Sequence, residues 1–95
     1  MKVITARIED KHFEDLKKIE KEEHTERAEV MRKLLASAIK EWKLKKSLQL
    51  LREHKVTIRK AASIADVSYL EMLNFASDLD IDIGYSLNEL KRDIA

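Results

Sequence analysis

The segment Val3-Ile4-Thr5-Ala6-Arg7-Ile8-Glu9 decides the fold that the sequence predicts. Its residues alternate in polarity, which places Ile4, Ala6 and Ile8 on one face and Val3, Thr5, Arg7 and Glu9 on the other. A period of two residues is typical of a half-buried β-strand. The sequence therefore predicts a single strand within the first nine residues.

This strand has no partner within its own module, because the residues that follow it, up to Trp42, are predicted to be helical. An isolated strand with open edges and an apolar face is unstable in water. We therefore expect two chains to pair through it as an antiparallel ribbon about a two-fold axis. The expected dimer core combines apolar residues of the strand and of a helix: Ile4, Ala6, Ile8, Val30 and Leu34.

The outer face of such a ribbon would present Val3, Thr5 and Arg7 from each chain. A two-stranded ribbon fits the major groove of DNA, where arginine bonds guanine, threonine bonds either base and valine contacts a thymine methyl group. We therefore expect these three residues to contact DNA bases.

Helical periodicity dominates the rest of the chain. A first helix follows Asp10, a predicted N-cap, and a second begins near Thr25. The second helix carries apolar residues at helical spacing that we expect to be buried: Val30, Met31, Leu34, Leu35, Ala38, Ile39 and Trp42. Helix is predicted to continue to His54, with a possible kink after Trp42. Further on, Thr57 is a predicted cap, and Ser68-x-x-Glu71 and Ser86-x-x-Glu89 match the capping box.

The order of strand, helix, turn and helix, with Arg27-Ala28-Glu29-Val30-Met31-Arg32 in the second helix, resembles the ribbon-helix-helix repressors of the Arc/methionine-repressor class. The resemblance covers residues 2–43. It implies an intertwined dimer in which backbone N–H groups at the start of the second helix grip phosphate. The expected phosphate contacts are Lys2, Glu26, Arg27 and Ala28, although Glu26 and Ala28 stand where small hydroxyl residues are usual.

The expected fold class is therefore mainly α. Residues 1–43 would form a ribbon-helix-helix domain for dimerisation and DNA binding, with one strand and two helices. Residues 44–95 would form a small helical module that contains a helix-turn-helix-like pair and binds a partner.

Charge is distributed unevenly, although the net charge of the 95 residues is only +1. Between Lys40 and Lys60 there are eight basic and two acidic residues, whereas seven acidic and two basic residues follow from Asp66 onward. This asymmetry favours one surface for nucleic acid and another for a different partner. The helix after Ser68 has acidic residues but no lysine or arginine, so we do not expect it to read a DNA groove.

Residues 44–95 resemble a small prokaryotic family of uncharacterised antitoxin-like proteins, in which a helix-turn-helix-like pair precedes an extended segment ending in tyrosine and a short acidic helix. The matching tail is Ile81-Asp82-Ile83-Gly84-Tyr85-Ser86-Leu87-Asn88-Glu89-Leu90. The resemblance implies the antitoxin of a type II toxin–antitoxin pair, with a PIN-domain nuclease as its toxin. The expected docking anchors are Ile81, Ile83, Tyr85, Leu87, Leu90 and Ile94. The alternative is that these residues close the core of their own module.

Several functional classes lack support in the sequence. There is no cysteine, and the three histidines have no partner at ligand spacing, so we expect no metal site and no cofactor. No nucleophile motif or nucleotide-binding loop is present, which argues against an enzyme. No stretch approaches a membrane span, and there is no signal-peptide pattern, so a cytoplasmic location is expected.

The sequence thus favours a sequence-specific DNA-binding homodimer that represses transcription and, as an antitoxin, autoregulates its operon. Two alternatives stay open. The chain could be a stand-alone repressor whose C-terminal module forms multimers or binds an effector, or it could be a dimeric adaptor that does not bind DNA.

Overall fold

The computed structural model describes residues 1–83, and its regular elements there are four α-helices. They are α1 (Asp10–Glu23), α2 (Arg27–Arg52), α3 (Ile58–Ala65) and α4 (Tyr69–Asp78). The chain divides into two compact units, Met1–Ser37 and Ala38–Ala95, and the division lies within α2.

The predicted N-terminal strand is wrong. Residues 1–9 have no regular secondary structure, and no strand occurs anywhere in residues 1–83. Alternation of polarity defines two faces of an extended segment, but a strand also needs a neighbour that accepts and donates its backbone hydrogen bonds. No other extended segment provides that neighbour within the described chain, so the ribbon-helix-helix fold and the resemblance that implied it are overturned.

The turn between α1 and α2 is formed by a left-handed residue. The first helix begins one residue earlier than expected, with Glu9 rather than Asp10 at the N-cap. It ends at His24, where φ is 52° and the backbone N–H donates to the Glu20 carbonyl. The backbone N–H of Thr25 donates to the same carbonyl at 3.2 Å. These two bonds satisfy backbone groups that the last turn of a helix leaves free.

The second helix runs without interruption through the position where a kink was predicted. Its apolar residues change sides along its length. In the first half Leu34, Ala38 and Trp42 share one side, whereas in the second half Leu44, Leu48 and Leu51 are centred about 110° around the helix axis from them, as a rotation of about 100° per residue requires. One helix therefore offers a different apolar surface in each half.

The predicted caps of α3 and α4 are confirmed. The Thr57 hydroxyl oxygen accepts from the Lys60 backbone N–H at 3.1 Å. The Ser68 hydroxyl oxygen accepts from the Glu71 N–H at 3.0 Å, and the Glu71 carboxylate accepts from the Ser68 N–H at 3.3 Å, which completes the capping box. Each cap satisfies backbone donors that the helix cannot satisfy itself.

The core of the second unit lies where the last turns of α2 meet α3 and α4. Small residues, Ala61, Ala62 and Ala65 on α3 and Ala76 on α4, let the two helices approach closely. Larger side chains complete the cluster: Leu48, Leu51, Met72 and Ile81. Ser47 is also fully buried, and its hydroxyl donates to the Leu44 carbonyl at 2.8 Å. The burial of these side chains holds the helix pair in place.

Candidate dimerisation and nucleic-acid interface

An apolar surface on α2 lies open to solvent. We call it the α2 face, and it consists of Met31, Leu34, Leu35, Ile39 and Trp42, all classed as exposed. Their spacing of three or four residues places them on one side of the helix. Leu34 and Leu35 are 45% and 56% exposed, and Trp42 is 65% exposed. Surface patches of large apolar side chains in a soluble protein usually mark a site of interaction.

The first unit has almost no core of its own. Val30, 1% exposed, is its only buried apolar residue, and α1 contains no buried residue. The expectation that Met31 to Trp42 would be buried therefore holds for none of the large residues of the α2 face within a single chain. A unit this small rarely folds without additional burial, so its apolar side chains need a partner surface.

The residues expected to contact bases lie before α1. Val3, Thr5 and Arg7 are exposed, as is Lys2, and none belongs to a helix or strand. The strand residues of the expected dimer core, Ile4, Ala6 and Ile8, are exposed in the same segment. The structure thus gives this segment an accessible arginine and lysine that do not lie on a helix or strand.

Arg27, an expected phosphate contact, is engaged within its own unit. Its Nε donates to the Glu20 carboxylate at 2.8 Å, and its guanidinium lies 4.6 Å from the centre of the Phe13 ring. Lys17 approaches the same ring at 4.7 Å. Sequence reasoning missed this cluster, because the turn between the helices joins residues that helical spacing does not pair. The other expected contacts at the start of α2, Glu26 and Ala28, are exposed.

The basic stretch from Lys40 to Lys60 is only partly neutralised. Three of its lysines form ion pairs, namely Lys43 with Asp66 at 3.6 Å, Lys45 with Glu41 at 3.1 Å and Lys55 with Glu53 at 3.0 Å. Of the other five basic side chains, Arg59 lies over the Tyr69 ring, and four have neither a carboxylate nor an aromatic partner within residues 1–83: Lys40, Lys46, Arg52 and Lys60. These cations are available to an anionic partner.

Lys55 and Gln49 lower the pKa of the neighbouring Glu53 carboxyl group. Its carboxylate accepts hydrogen bonds from Lys55 and from the Gln49 amide, the latter at 3.2 Å, and these bonds lower the pKa of Glu53 below its ordinary value. The group stays ionised, so it neutralises Lys55 and leaves the four unpaired cations as the basic surface.

The exposed side of α4 is acidic, in contrast to the basic stretch from Lys40 to Lys60. It presents Leu70, Glu71, Asn74 and Asp78, with no basic side chain. Lysine and arginine supply most contacts to phosphate and the commonest contact to guanine. That this helix does not read a DNA groove stays a prediction.

The expected partner-binding residues fall into two groups. Ile81 is 5% exposed and belongs to the core of the second unit, and Ile83 is half-buried against that core. The burial of Ile81 matches the alternative in which these residues close their own module. Tyr85, Leu87, Leu90 and Ile94 lie outside the described residues.

Two further properties bear on function. None of the helices in residues 1–83 is both long and apolar enough to cross a membrane. Within that same range, no group of three or more histidine, cysteine or acidic side chains could hold a metal ion.

Comparison with known proteins found no family model, no curated protein and no solved structure that matches this chain.

Proposed function

We propose that this protein is a homodimer that binds double-stranded DNA in a sequence-specific way and represses transcription. The main support for the proposal is the apolar α2 face, which is exposed to solvent in the single chain. We propose that a second copy of the same chain packs against this face, and that the basic side chains of the resulting dimer bind the DNA backbone.

A second copy is the partner best suited to this face. The first unit buries only Val30, so its stability depends on contacts made in every molecule rather than on an occasional encounter. A second copy is always present when the protein is made, and two-fold dimers are the commonest assemblies of soluble proteins. The residues of the α2 face are uncharged, so two such faces meet without charge repulsion.

DNA is the partner that suits the unpaired cations. Lys40, Lys46, Arg52 and Lys60 are doubled in a dimer, and each chain adds Lys2 and Arg7 from its exposed N-terminal segment. Basic side chains bind phosphates and release counterions, which provides most of the affinity for DNA of any sequence. Arg7 is the proposed base contact, because arginine on an exposed arm can enter a groove without belonging to a strand.

The proposal extends to an antitoxin that neutralises a PIN-domain-like nuclease and represses its own operon. The acidic residues after Asp66, among them Asp78 and Asp80, support a second partner surface, because they would repel DNA but attract a basic protein. Co-purification of the chain with the product of the adjacent gene tests this extension, and a neighbour that encodes no nuclease and does not bind contradicts it.

Fluorescence anisotropy with a labelled duplex from the promoter of the protein's own gene tests DNA binding. We expect Arg7→Ala to weaken binding by about 1–3 kcal/mol, roughly five- to 150-fold, and to relax sequence preference. Lys18→Ala removes one exposed charge from α1 and is the matched control, with little expected effect.

The same assay measures how DNA affinity depends on salt. If six to ten phosphates are contacted, affinity should fall by about 10³–10⁵ between 50 and 200 mM salt. Absence of wild-type binding at low salt would refute the DNA proposal.

A further inference from the structure

A cavity of about 430 Å³ opens in the second unit, beside the end of α2 and the first turns of α3 and α4. Its wall is mostly apolar, and four of its eight lining residues within 1–83 are aliphatic: Leu51, Val56, Ile58 and Ile83. Pockets that bind small molecules have volumes of about 300–1,000 Å³ and walls that are mostly apolar, with a few polar groups that fix orientation. The size and lining of this cavity meet both conditions.

The polar groups of the cavity favour an anion. The guanidinium of Arg59 lies 4.6 Å from the centre of the Tyr69 ring, and both residues line the cavity. Stacking on the ring orients the guanidinium but leaves its N–H donors without a carboxylate partner in residues 1–83. None of the lining residues within 1–83 is acidic. A positive group that lines a largely apolar cavity would therefore attract a negative ligand.

Two other side chains add hydrogen-bond donors to the same cavity. The Thr57 oxygen accepts from the Lys60 N–H, which leaves its own hydroxyl hydrogen available for donation. The His54 imidazole also lines the cavity and can donate from a ring nitrogen. Together with Arg59, these side chains supply donors to a cavity that is otherwise largely apolar.

We propose that this cavity binds a small amphipathic anion, specifically a monocarboxylate with a short aliphatic chain. The carboxylate would pair with Arg59, as guanidinium groups bind carboxylates through two parallel hydrogen bonds. The aliphatic chain would lie against Leu51, Val56 and Ile58. This ligand site goes beyond the proposed function and does not depend on it, because its occupancy can be measured without DNA or a partner protein.

Titration of the full-length ¹⁵N-labelled protein with octanoate, followed by two-dimensional NMR, tests the proposal. Octanoate should shift the amide signals of residues 54–59 and of Tyr69 in a saturable manner. Octanol has the same aliphatic chain without the charge, and it should bind at least tenfold more weakly, since a hydrogen bond to a charged group contributes about 1.5–3 kcal/mol.

Two variants distinguish octanoate binding in the cavity from nonspecific attraction of anions to the positively charged surface. Arg59→Gln should weaken octanoate binding about tenfold or more, whereas Lys60→Gln, which removes the neighbouring exposed charge, should leave it unchanged. Because Arg59 is exposed, the glutamine variant should keep the wild-type NMR spectrum away from the cavity. Equal binding of octanol and octanoate, equal effects of the two variants, or shifts confined to the α2 face would overturn the proposal.

Discussion

Replacement of Leu34 and Leu35 by aspartate should convert the protein from a dimer to a monomer at micromolar concentration. Leu34 and Leu35 are 45% and 56% exposed, so about half of each side chain remains to be buried, which makes the four leucines of two chains worth roughly 3–6 kcal/mol in association. Every ~1.4 kcal/mol is a tenfold change, so this loss alone would raise a nanomolar dissociation constant by about 10²–10⁴, and burial of the introduced carboxylates would raise it further. Sedimentation equilibrium measures the mass of each form directly.

A charge on the other side of α2 provides the control. Lys33 is exposed on the same helix, roughly opposite the α2 face, so Lys33→Asp should leave the dimer intact while it introduces the same type of charge. Two-dimensional NMR should show that the amide signals of α3 and α4 keep their wild-type positions in all variants. A monomeric wild-type protein, or a variant with Leu34 and Leu35 replaced that still sediments as a dimer, would be incompatible with the α2 face as the interface.

Met72→Ala should lower the free energy of unfolding of the second unit by about 2–5 kcal/mol. The Met72 side chain is fully buried among residues of α2, α3 and α4, and its removal leaves a cavity that a close-packed cluster of alanines cannot fill. Natural domains are stable by only about 5–15 kcal/mol, so this is a large fraction of the total. Urea denaturation at fixed protein concentration, followed by circular dichroism, measures the change.

Leu70→Ala is the matched substitution on the exposed side of α4. Leu70 is 44% exposed, so its truncation should cost much less than that of Met72. Similar losses for the two variants would mean that Met72 is not in the core of the unit.

The local signals in the sequence predicted local structure well. Ser68 and Glu71 are three residues apart, and the capping box that they form depends on no distant contact, so its position could be read directly. The same is true of Thr57 at the start of α3. The apolar spacing of α2 predicted a helix, although the spacing could not show that two different surfaces would need two different partners.

The predicted strand was wrong because its structure depends on a distant partner. Val3 to Glu9 alternates in polarity, but the alternation alone does not provide the backbone hydrogen bonds that define a strand. Periodicity also does not reveal the ion pair of Arg27 with Glu20 across a turn, and the phosphate contact expected of Arg27 stays a prediction. The sequence left Ile81 open as an anchor for a partner or as a core residue, and the structure buries it in the core of its own unit.

Acrylamide quenching of Trp42 tests the central claim, that two chains associate through the α2 face. Trp42 is the only tryptophan in the sequence and is 65% exposed in the single chain, so its fluorescence reports on that face alone. In a dimer we expect weak quenching and blue-shifted emission at micromolar concentration, with strong quenching on dilution or in the variant with aspartate at positions 34 and 35. Strong quenching of the wild-type protein at every concentration would contradict the claim.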